Sequence, residues 1–336
     1  MRYVIALDIH KRETQAYIVD EAEKLCAEKR FRTLRASFRR VLSKYPEGDA
    51  IIESVGFHRP VAAWLKELGY TVHLAHTGRI PKPRVKTDRK DAKHLARLFR
   101  GGALPEAYLP VEEVQRLRDI ARQRQFLGQQ ARQLKSKIRQ DLNKHGHFVE
   151  KSPLDTALGR NWLQRLDFPE INSALALLAA VEDQIEDFEE RIRVESRDLP
   201  EAKLLTSIPG VGPYTALLIL AEVADFSRFA NKDAVAAYAG LAVRQQQSGD
   251  SDKRGSITKE GSGLLRWALV EAARNHVMHC PESALSRRHK RLAKRRGNKK
   301  AVVATARVMA TVMYTMVKRN EEFRLDPPKP GYKSAA

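Results

Sequence analysis

The first hundred residues change from strand-like to helix-like patterns several times. The runs RYVIALDIH, TQAYIVD and KLCAEKRFRT are short, apolar or alternating, and they predict three successive strands. LRASFRRVLSKY has the helical period, with Leu34, Phe38 and Leu42 on one face. DAIIESVG, RPVAAWLKELGY, TVHLAHT and the stretch from about Thr87 to Arg100 then predict strand, helix, strand and helix. Residues 1–108 are therefore predicted to form a mixed α/β domain.

Residues 109–199 are polar, with a narrow apolar stripe at helical spacing. The stripe predicts either two long antiparallel helices or a coiled coil that pairs between chains. Its members are Val114, Leu117, Ile120, Leu127, Leu134 and Ile138, followed by Leu178, Val181, Ile185, Phe188 and Ile192.

Residues 200–325 predict an all-α domain, and 326–336 a disordered tail. LLTSIPGVGPYTALLILAEV reads as helix, tight turn, helix. A helix–hairpin–helix would use Gly210 and Gly212 to present backbone amides to a DNA phosphate. The alternative is a simple corner at which two helices pack. A serine- and glycine-rich stretch, RQQQSGDSDKRGSITKEG, predicts a polar loop.

The net charge of the chain indicates the kind of partner that it binds. The 336 residues include 61 Lys and Arg against 41 Asp and Glu, a formal net charge of +20. Such a charge favours an anionic partner. No apolar run is expected to reach the length of a membrane span, so nucleic acid is favoured over membrane. Two cysteines without metal or redox spacing predict a reducing, cytoplasmic environment.

Four acids are placed where a nuclease site needs them. Asp8 ends the first predicted strand, Glu53 lies near the end of the fourth, and Asp88 and Asp91 are three apart on one helix. Together they predict a carboxylate cluster for Mg²⁺, with two ions, because Mg²⁺ prefers oxygen ligands and two metals suit phosphodiester chemistry. The surrounding Lys86, Arg89 and Lys90 would hold phosphates. The alternative is structural, since acids near a helix start also stabilise the helix dipole.

These motifs resemble those of the IS110-family transposases. IALDIHK, IIESVGF and VKTDRKDAKHLA match the family's acidic motifs, and the stretch from LTSIPGVG to LLRWALVEAA resembles its second conserved domain. The resemblance implies a ribonuclease H-like, RuvC-like fold for the first domain, with Asp8, Glu53, Asp88 and Asp91 as metal ligands. It also implies that Ser248, in the Ser-Gly motif of the polar loop, is the nucleophile, and that an element-encoded RNA guides the enzyme. The acids and the serine lie in different predicted domains, so the reaction needs both.

Other basic residues are candidates for nucleic-acid contact. They are Arg254, Lys259, Arg266, Arg287, Arg288, Lys290, Arg291, Lys294, Arg295 and Arg296. A solvated basic helix is the alternative for the last seven. The predicted function is a transposase or recombinase that cuts and rejoins element ends and target DNA as a homo-oligomer, dimer or tetramer, in the prokaryotic cytoplasm at the nucleoid. A site-specific invertase, a RuvC-like hydrolytic nuclease and a non-enzymatic nucleic-acid-binding protein remain alternatives.

Overall fold

The structure is a computed structural model that describes residues 2–80, 88–150, 152–248 and 251–325. The side chains of residues 88–89, 245–248 and 251–254 lie outside this description. The predicted disordered tail, 326–336, is also outside the described residues. The chain divides into two compact units, Met1–Pro110 and Val111–Ala336.

The first unit is built on a six-stranded sheet with the order β3-β2-β1-β4-β5-β6. Strands β1, β4 and β5 are parallel, and β2, β3 and β6 are antiparallel to their neighbours. The bounds are β1 Tyr3–Ile9, β2 Glu13–Val19, β3 Leu25–Arg32, α1 Arg35–Leu42, β4 Gly48–Glu53, α2 His58–Glu67, β5 Tyr70–Ala75, α3 Asp88–Arg100 and β6 Glu106–Ala107.

Helices cover both faces of this sheet because its central strands are apolar on both sides. Phe38 of α1 and Leu65 of α2 pack on one face. Ala92, Leu95 and Ala96 of α3 pack on the other. The predicted order of strands and helices is confirmed, and the short edge strand β6 was missed because two residues carry no periodicity.

The second unit is mainly helical. Its elements are α4 Glu112–Lys144, a 3-10 helix Pro153–Asp155, α5 Ala157–Arg165, α6 Pro169–Arg197, α7 Pro200–Thr206, α8 Pro213–Val223, a 3-10 helix Phe226–Arg228, α9 Lys232–Tyr238, β7 Val243–Ser248, β8 Ser251–Ile257, α10 Gly263–His279, α11 Ala284–Arg296 and α12 Asn298–Arg319.

The two long helices α4 and α6 pack antiparallel within the chain. Residues near the start of α4 pair with residues near the end of α6, and residues near the end of α4 pair with residues near the start of α6. The pairs are Arg116 with Glu195, Lys135 with Glu182 at 2.9 Å, and His145 with Glu170 at 2.6 Å. Of the two predicted arrangements, the in-chain pair is the one observed. A coiled coil between chains stays a prediction.

The predicted polar loop after residue 242 is instead a two-stranded hairpin, β7 paired with β8. The carboxy-terminal region is therefore helical but not all-α. Sequence reasoning missed these strands because RQQQS and SDKRG have no apolar alternation to reveal them. The predicted boundary at 199/200 lies inside the second unit, so the division of this unit into two domains stays a prediction.

Helix α12 corrects another expectation. It has 22 residues, and by length and composition it is able to cross a membrane. Its face of Ala306, Met309, Ala310 and Met313 is buried in the core of the second unit, as is typical of a core helix. It is the single helix of this kind in the described part of the chain.

Candidate active site

Asp8 and Glu53 lie side by side at the same edge of the sheet. Leu7 pairs with Ile52 across the parallel strands β1 and β4, so Asp8 and Glu53 are the next residues on each strand. Leu7 and Ile52 are buried on the face covered by α1 and α2. Because side chains alternate along a strand, Asp8 and Glu53 face the other side, where α3 packs.

Asp91 approaches the same face from α3. It precedes Ala92 and shares a helical face with Leu95, both of which are buried against the sheet. Asp91 is only 8% exposed. A bound cation would compensate the charge of such a largely buried carboxylate.

Carboxylate oxygens are donors suited to a divalent metal, and Asp8, Glu53 and Asp91 lie on one face of the sheet. Among the described side chains, no three His, Cys, Asp or Glu groups are arranged to hold an ion by themselves. Asp88 is the first residue of α3, three before Asp91, and its side chain lies outside the description. The spacing places Asp88 on the same helical face as Asp91.

Basic and polar side chains border this edge of the sheet. His10 Nε2 lies 3.2 Å from Asp8 Oδ2. His10, Arg12, Glu13, Gln15 and Arg30 line a cavity of about 170 Å³ next to it. Of the cations predicted near Asp88, Lys90 is exposed on α3, Lys86 lies outside the described residues, and so does the side chain of Arg89.

The predicted nucleophile lies at the tip of the hairpin. Ser248 ends β7 and is paired with Ser251, which begins β8. The side chain of Ser248 and the following Gly249 are outside the description. The backbone of Ser248 therefore lies at the end of the hairpin farthest from the helices.

The base of the hairpin is held by close backbone contacts. Lys259 N–H donates to Gly240 O at 3.1 Å, and Thr258 N–H donates to Ala242 O at 2.8 Å. Gly240 has φ +68°, and a Cβ added there would lie 2.3 Å from Glu260 O. Only glycine fits such a position without a shift of the neighbouring backbone.

Arg266 contributes to the same base. Its guanidinium NH1 donates to Ala239 O at 3.2 Å and to Lys259 O at 3.3 Å. The structure thus gives Arg266 a structural task, and its contact with nucleic acid stays a prediction. Lys259 is exposed with φ +57°, and the side chain of Arg254 is outside the description.

The two glycines of the PGVG turn have different surroundings. Gly210 has φ +89°, and a Cβ there would lie 2.7 Å from Asn275 C and His276 N of α10. Gly212 is exposed, with nothing within 4 Å of an added Cβ. Gly210 thus serves helix packing, whereas Gly212 is open to a ligand, and the helix–hairpin–helix role stays a prediction.

His276 ties this turn to α11. Its Nδ1 lies 2.9 Å from Pro209 O, and its Nε2 lies 2.8 Å from the hydroxyl of Ser283, which caps α11. The Pro209 carbonyl accepts a hydrogen bond, so Nδ1 carries the proton. Burial lowers the pKa of His276, which is fully enclosed.

Helix α11 presents its basic residues to solvent. Leu285, Ser286 and His289 form its buried side. The predicted contacts on the other sides are all exposed: Arg287, Arg288, Lys290, Arg291, Lys294, Arg295 and Arg296. A helix with one buried stripe and a cationic remainder is suited to contact a phosphate backbone.

Sequence reasoning missed the buried acid Glu222 in the second unit. Glu222 on α8 is 2% exposed and forms a two-point ion pair with Arg122 of α4. Ser262, the residue that caps α10, donates to it at 2.8 Å. The signal was present in the sequence, because a single carboxylate inside the apolar run TALLILAEV needs a partner when that run is buried.

Two models of known protein families match the chain, one from the first unit into the second and one within the second. A family model described as Transposase, of the IS110 DEDD type, matches residues 5–146. A second, described as Transposase IS116/IS110/IS902 family, matches residues 202–290. Together the two matches span more than half of the chain and include all four candidate acids and Ser248.

Relatives resemble the chain over most of its length. A transposase for insertion sequence element IS1111A from Coxiella burnetii is 26% identical over 96% of this chain and 91% of its own. A probable family 20 transposase from Pseudomonas aeruginosa is 27% identical over 95% of this chain and 98% of its own. A pilin gene-inverting protein from Moraxella bovis is 36% identical over 36% of this chain and 38% of its own. The acid-bearing sheet, the two matching models and these near full-length relatives together show that the chain belongs to the IS110 family of transposases, whose DEDD domain uses a divalent metal.

Proposed function

We propose that this protein cuts and rejoins DNA at the ends of an insertion element and at its target, with Mg²⁺ and a serine nucleophile. The observation that carries the proposal is the position of three carboxylates on one face of the first sheet. Asp8 and Glu53 follow a paired position on neighbouring strands, and Asp91 is 8% exposed on the helix that covers that face.

Asp8, Glu53, Asp88 and Asp91 would hold the metal, and two ions are proposed. Bound Mg²⁺ supplies electrostatic stabilisation of the charge that develops on the phosphate oxygens. The chain's own acids orient the site, and His10, beside Asp8, is placed to restrain that carboxylate. Lys86, Arg89 and Lys90 would neutralise the DNA phosphates that flank the reacting one.

Ser248 would attack the phosphorus of the scissile phosphodiester. The Ser248 Oγ–P bond forms as the bond from phosphorus to the leaving strand oxygen breaks. The serine hydroxyl proton passes to solvent, and the leaving oxygen takes a proton from solvent and departs as a hydroxyl. The covalent phosphoserine link conserves the phosphodiester bond for rejoining to a second strand. Reversal of the step, with a new strand hydroxyl as the attacking group, releases the serine.

Exposed basic surfaces support binding of nucleic acid. Seven cations on α11 face solvent, and further Lys and Arg side chains follow α4. We propose that these surfaces hold DNA and an element-encoded guide RNA, with the PGVG turn contacting phosphate through the open Gly212. A homo-oligomer acting at the nucleoid of a prokaryotic cytoplasm belongs to the same proposal, because rejoining two DNA partners needs more than one cut strand.

Site-specific inversion is the second candidate activity. It is favoured by the 36% identity to the Moraxella bovis pilin gene-inverting protein over 124 residues. Inversion would use the same acids and the same serine, and only the arrangement of recombination sites in the DNA would differ.

One experiment separates the recombinase from a hydrolytic nuclease and from a non-enzymatic binding protein. Labelled DNA carrying the element ends, with RNA transcribed from the element, is incubated with protein and Mg²⁺. The sample is then denatured, and label that migrates with protein is measured. The wild type should give protein-linked DNA, and Ser248→Ala should give none, whereas Ser256→Ala, on the same hairpin, should react normally.

The metal site is tested in the same assay with matched acids. Asp91→Asn should lower the reaction by about 100-fold or more while DNA binding stays near normal, because one ligand is lost and the basic contacts are kept. Asp49→Asn is the control, since Asp49 lies on the same face of β4 but at the opposite end, bound to Arg2 and His73. An Asp91→Asn protein that reacts at the wild-type rate would refute the metal assignment, and free cut ends without a covalent product would favour hydrolysis by water.

A further inference from the structure

Glu222 joins three helices of the second unit at one buried point. Its Oε1 accepts a hydrogen bond from Arg122 Nε at 2.8 Å, and its Oε2 accepts from Arg122 NH2 at 3.3 Å and from Ser262 Oγ at 2.8 Å. Arg122 belongs to α4, Glu222 to α8, and Ser262 caps α10. Both oxygens of this 2% exposed carboxylate are therefore used.

The backbone of Glu222 is held as well. Its carbonyl accepts from Arg118 NH2 at 3.0 Å and from the hydroxyl of Tyr238 at 3.4 Å. The neighbouring Ala221 carbonyl accepts from Arg118 Nε at 2.6 Å. Burial lowers the pKa of Arg118, whereas the hydrogen bond to Glu222 raises that of Arg122. The end of α8 is thus fixed to α4 by two arginines.

Ser262 connects this point to the hairpin. Its hydroxyl donates to Glu222 and accepts the backbone N–H of Leu265 at 3.1 Å, so it orients the first turn of α10. Residues 258–261, just before it, form the base of the hairpin through the bonds to Gly240 and Ala242. Gly261, with φ +97°, leaves no room for a Cβ because Tyr238 O would lie 2.0 Å away.

The hairpin depends on this base for its direction. An isolated two-stranded hairpin is only marginally stable, so its orientation follows from the elements to which its base is attached. Strand β8 has seven residues, which at about 3.4 Å each place the tip roughly 20 Å from the base. A tilt of about 3° at the base then moves the tip by about 1 Å, and a shift of that size is able to cost about 100-fold in rate.

We infer that Glu222 is a positioning residue, which orients the serine-bearing hairpin by holding the α10 cap against α4 and α8. The inference rests on the proposed function, in which Ser248 at the hairpin tip is the reacting group. Glu222 does not touch DNA or the reacting atoms in this scheme. It acts through Ser262 and the hairpin base.

Three variants and a control test the inference. Glu222→Gln keeps the shape but puts an amide NH₂ where one oxygen accepted, so either Arg122 or Ser262 loses its acceptor. Ser262→Ala removes the hydroxyl, and Ser262→Thr restores it. Asp141→Asn is the control, because Asp141 is a 1% exposed acid near the far end of α4, paired with Lys137 and Lys144.

Two readouts separate positioning from a general loss of stability. The first is the single-turnover rate of covalent DNA attachment at saturating protein, measured beside the Kd for DNA. The second is hydrogen exchange at the amides of Thr258 and Lys259, whose bonds form the hairpin base. Glu222→Gln and Ser262→Ala should slow the reaction by about 10- to 100-fold at an unchanged Kd and speed up exchange at both amides. Ser262→Thr and Asp141→Asn should keep the wild-type rate.

The outcomes distinguish this inference from the proposed function. If Ser248→Ala is inactive and Glu222→Gln reacts like the wild type, the positioning role is refuted and the nucleophile stands. If Ser248→Ala still forms recombined DNA, the proposed function fails, and unchanged exchange in Glu222→Gln would then refute the positioning role as well. If Glu222→Gln fails to fold, Ser262→Ala and Ser262→Thr are compared instead. The inference predicts that the reaction rate depends on the presence of the hydroxyl. A rate that instead changes in proportion to the stability of the two variants would overturn it.

Discussion

Replacing Gly210 by alanine should destabilise the second unit, although the change adds a single methyl group. The new Cβ would lie 2.7 Å from Asn275 C and from His276 N, and 3.0 Å from Asn275 Cβ. The first two neighbours are backbone atoms of α10, so they cannot turn away as a flexible side chain would. Gly210 also has φ +89°, a conformation that costs an L residue about 1–2 kcal/mol.

The expected loss combines these effects. Overpacking adds about 1–3 kcal/mol to the loss in the free energy of unfolding, and the reduced entropy of the unfolded chain offsets about 0.4–1 kcal/mol of this loss. The free energy of unfolding should therefore fall by about 1–5 kcal/mol. For a unit of this size each kcal/mol lowers Tm by about 2–4 °C, so a decrease of about 2–20 °C is expected.

Gly212→Ala is the matched control in the same turn. Gly212 has φ −87° and ψ 173°, which alanine adopts before a proline, and nothing lies within 4 Å of the added methyl group. Its Tm should stay close to that of the wild type, while its affinity for DNA should fall if the open side of the turn contacts phosphate. Both melting curves are recorded by circular dichroism or calorimetry. A Gly210→Ala protein that melts within about 1 °C of the wild type would refute the packing role assigned to this glycine.

Two further predictions concern the basic helix and the buried histidine. Arg291→Ala and Lys294→Ala should each weaken DNA binding and reduce the slope of log K against log salt by about 1. Arg274→Ala is the control, because Arg274 lies on α10 and pairs with Glu271, and it should leave the slope unchanged. Equal slopes for all three variants would contradict a phosphate contact at α11. Because burial lowers the pKa of His276 from 6.5 in the folded state, the unfolded chain binds more protons as pH falls below that value. The stability that this group contributes is present above pH 6.5 and is lost as pH falls through the lower folded pKa. His276→Gln should accordingly show a smaller drop in Tm on acidification than the wild type, and an identical pH profile would show that the acid sensitivity arises elsewhere.

Pattern alone was enough to predict the elements of the first unit except the short edge strand β6. Apolar runs closed by Asp8 and Glu53 and the amphipathic helix that begins at Asp88 are local features, and local periodicity reports the element and the face that it buries. The acidic motifs also led to the family without any coordinates. The register that places Asp8 beside Glu53 was not in the pattern, because strand pairing is a long-range contact.

In the second unit the sequence determined the helices, and tertiary structure decided what their polar residues do. The hairpin around Ser248 has no apolar alternation, and its strands are recognised only from their pairing and from the contacts that tie their base to the ends of α9 and α10. Gly210 and Gly212 look equivalent in PGVG, and only the approach of α10 distinguishes them. Glu222 stands in an apolar run as an apparent exception, and its partners come from residues 100 and 40 positions away. Periodicity carries information over one turn of helix or one pair of strand residues, whereas a buried charge or a close backbone contact depends on neighbours that only the folded chain brings together.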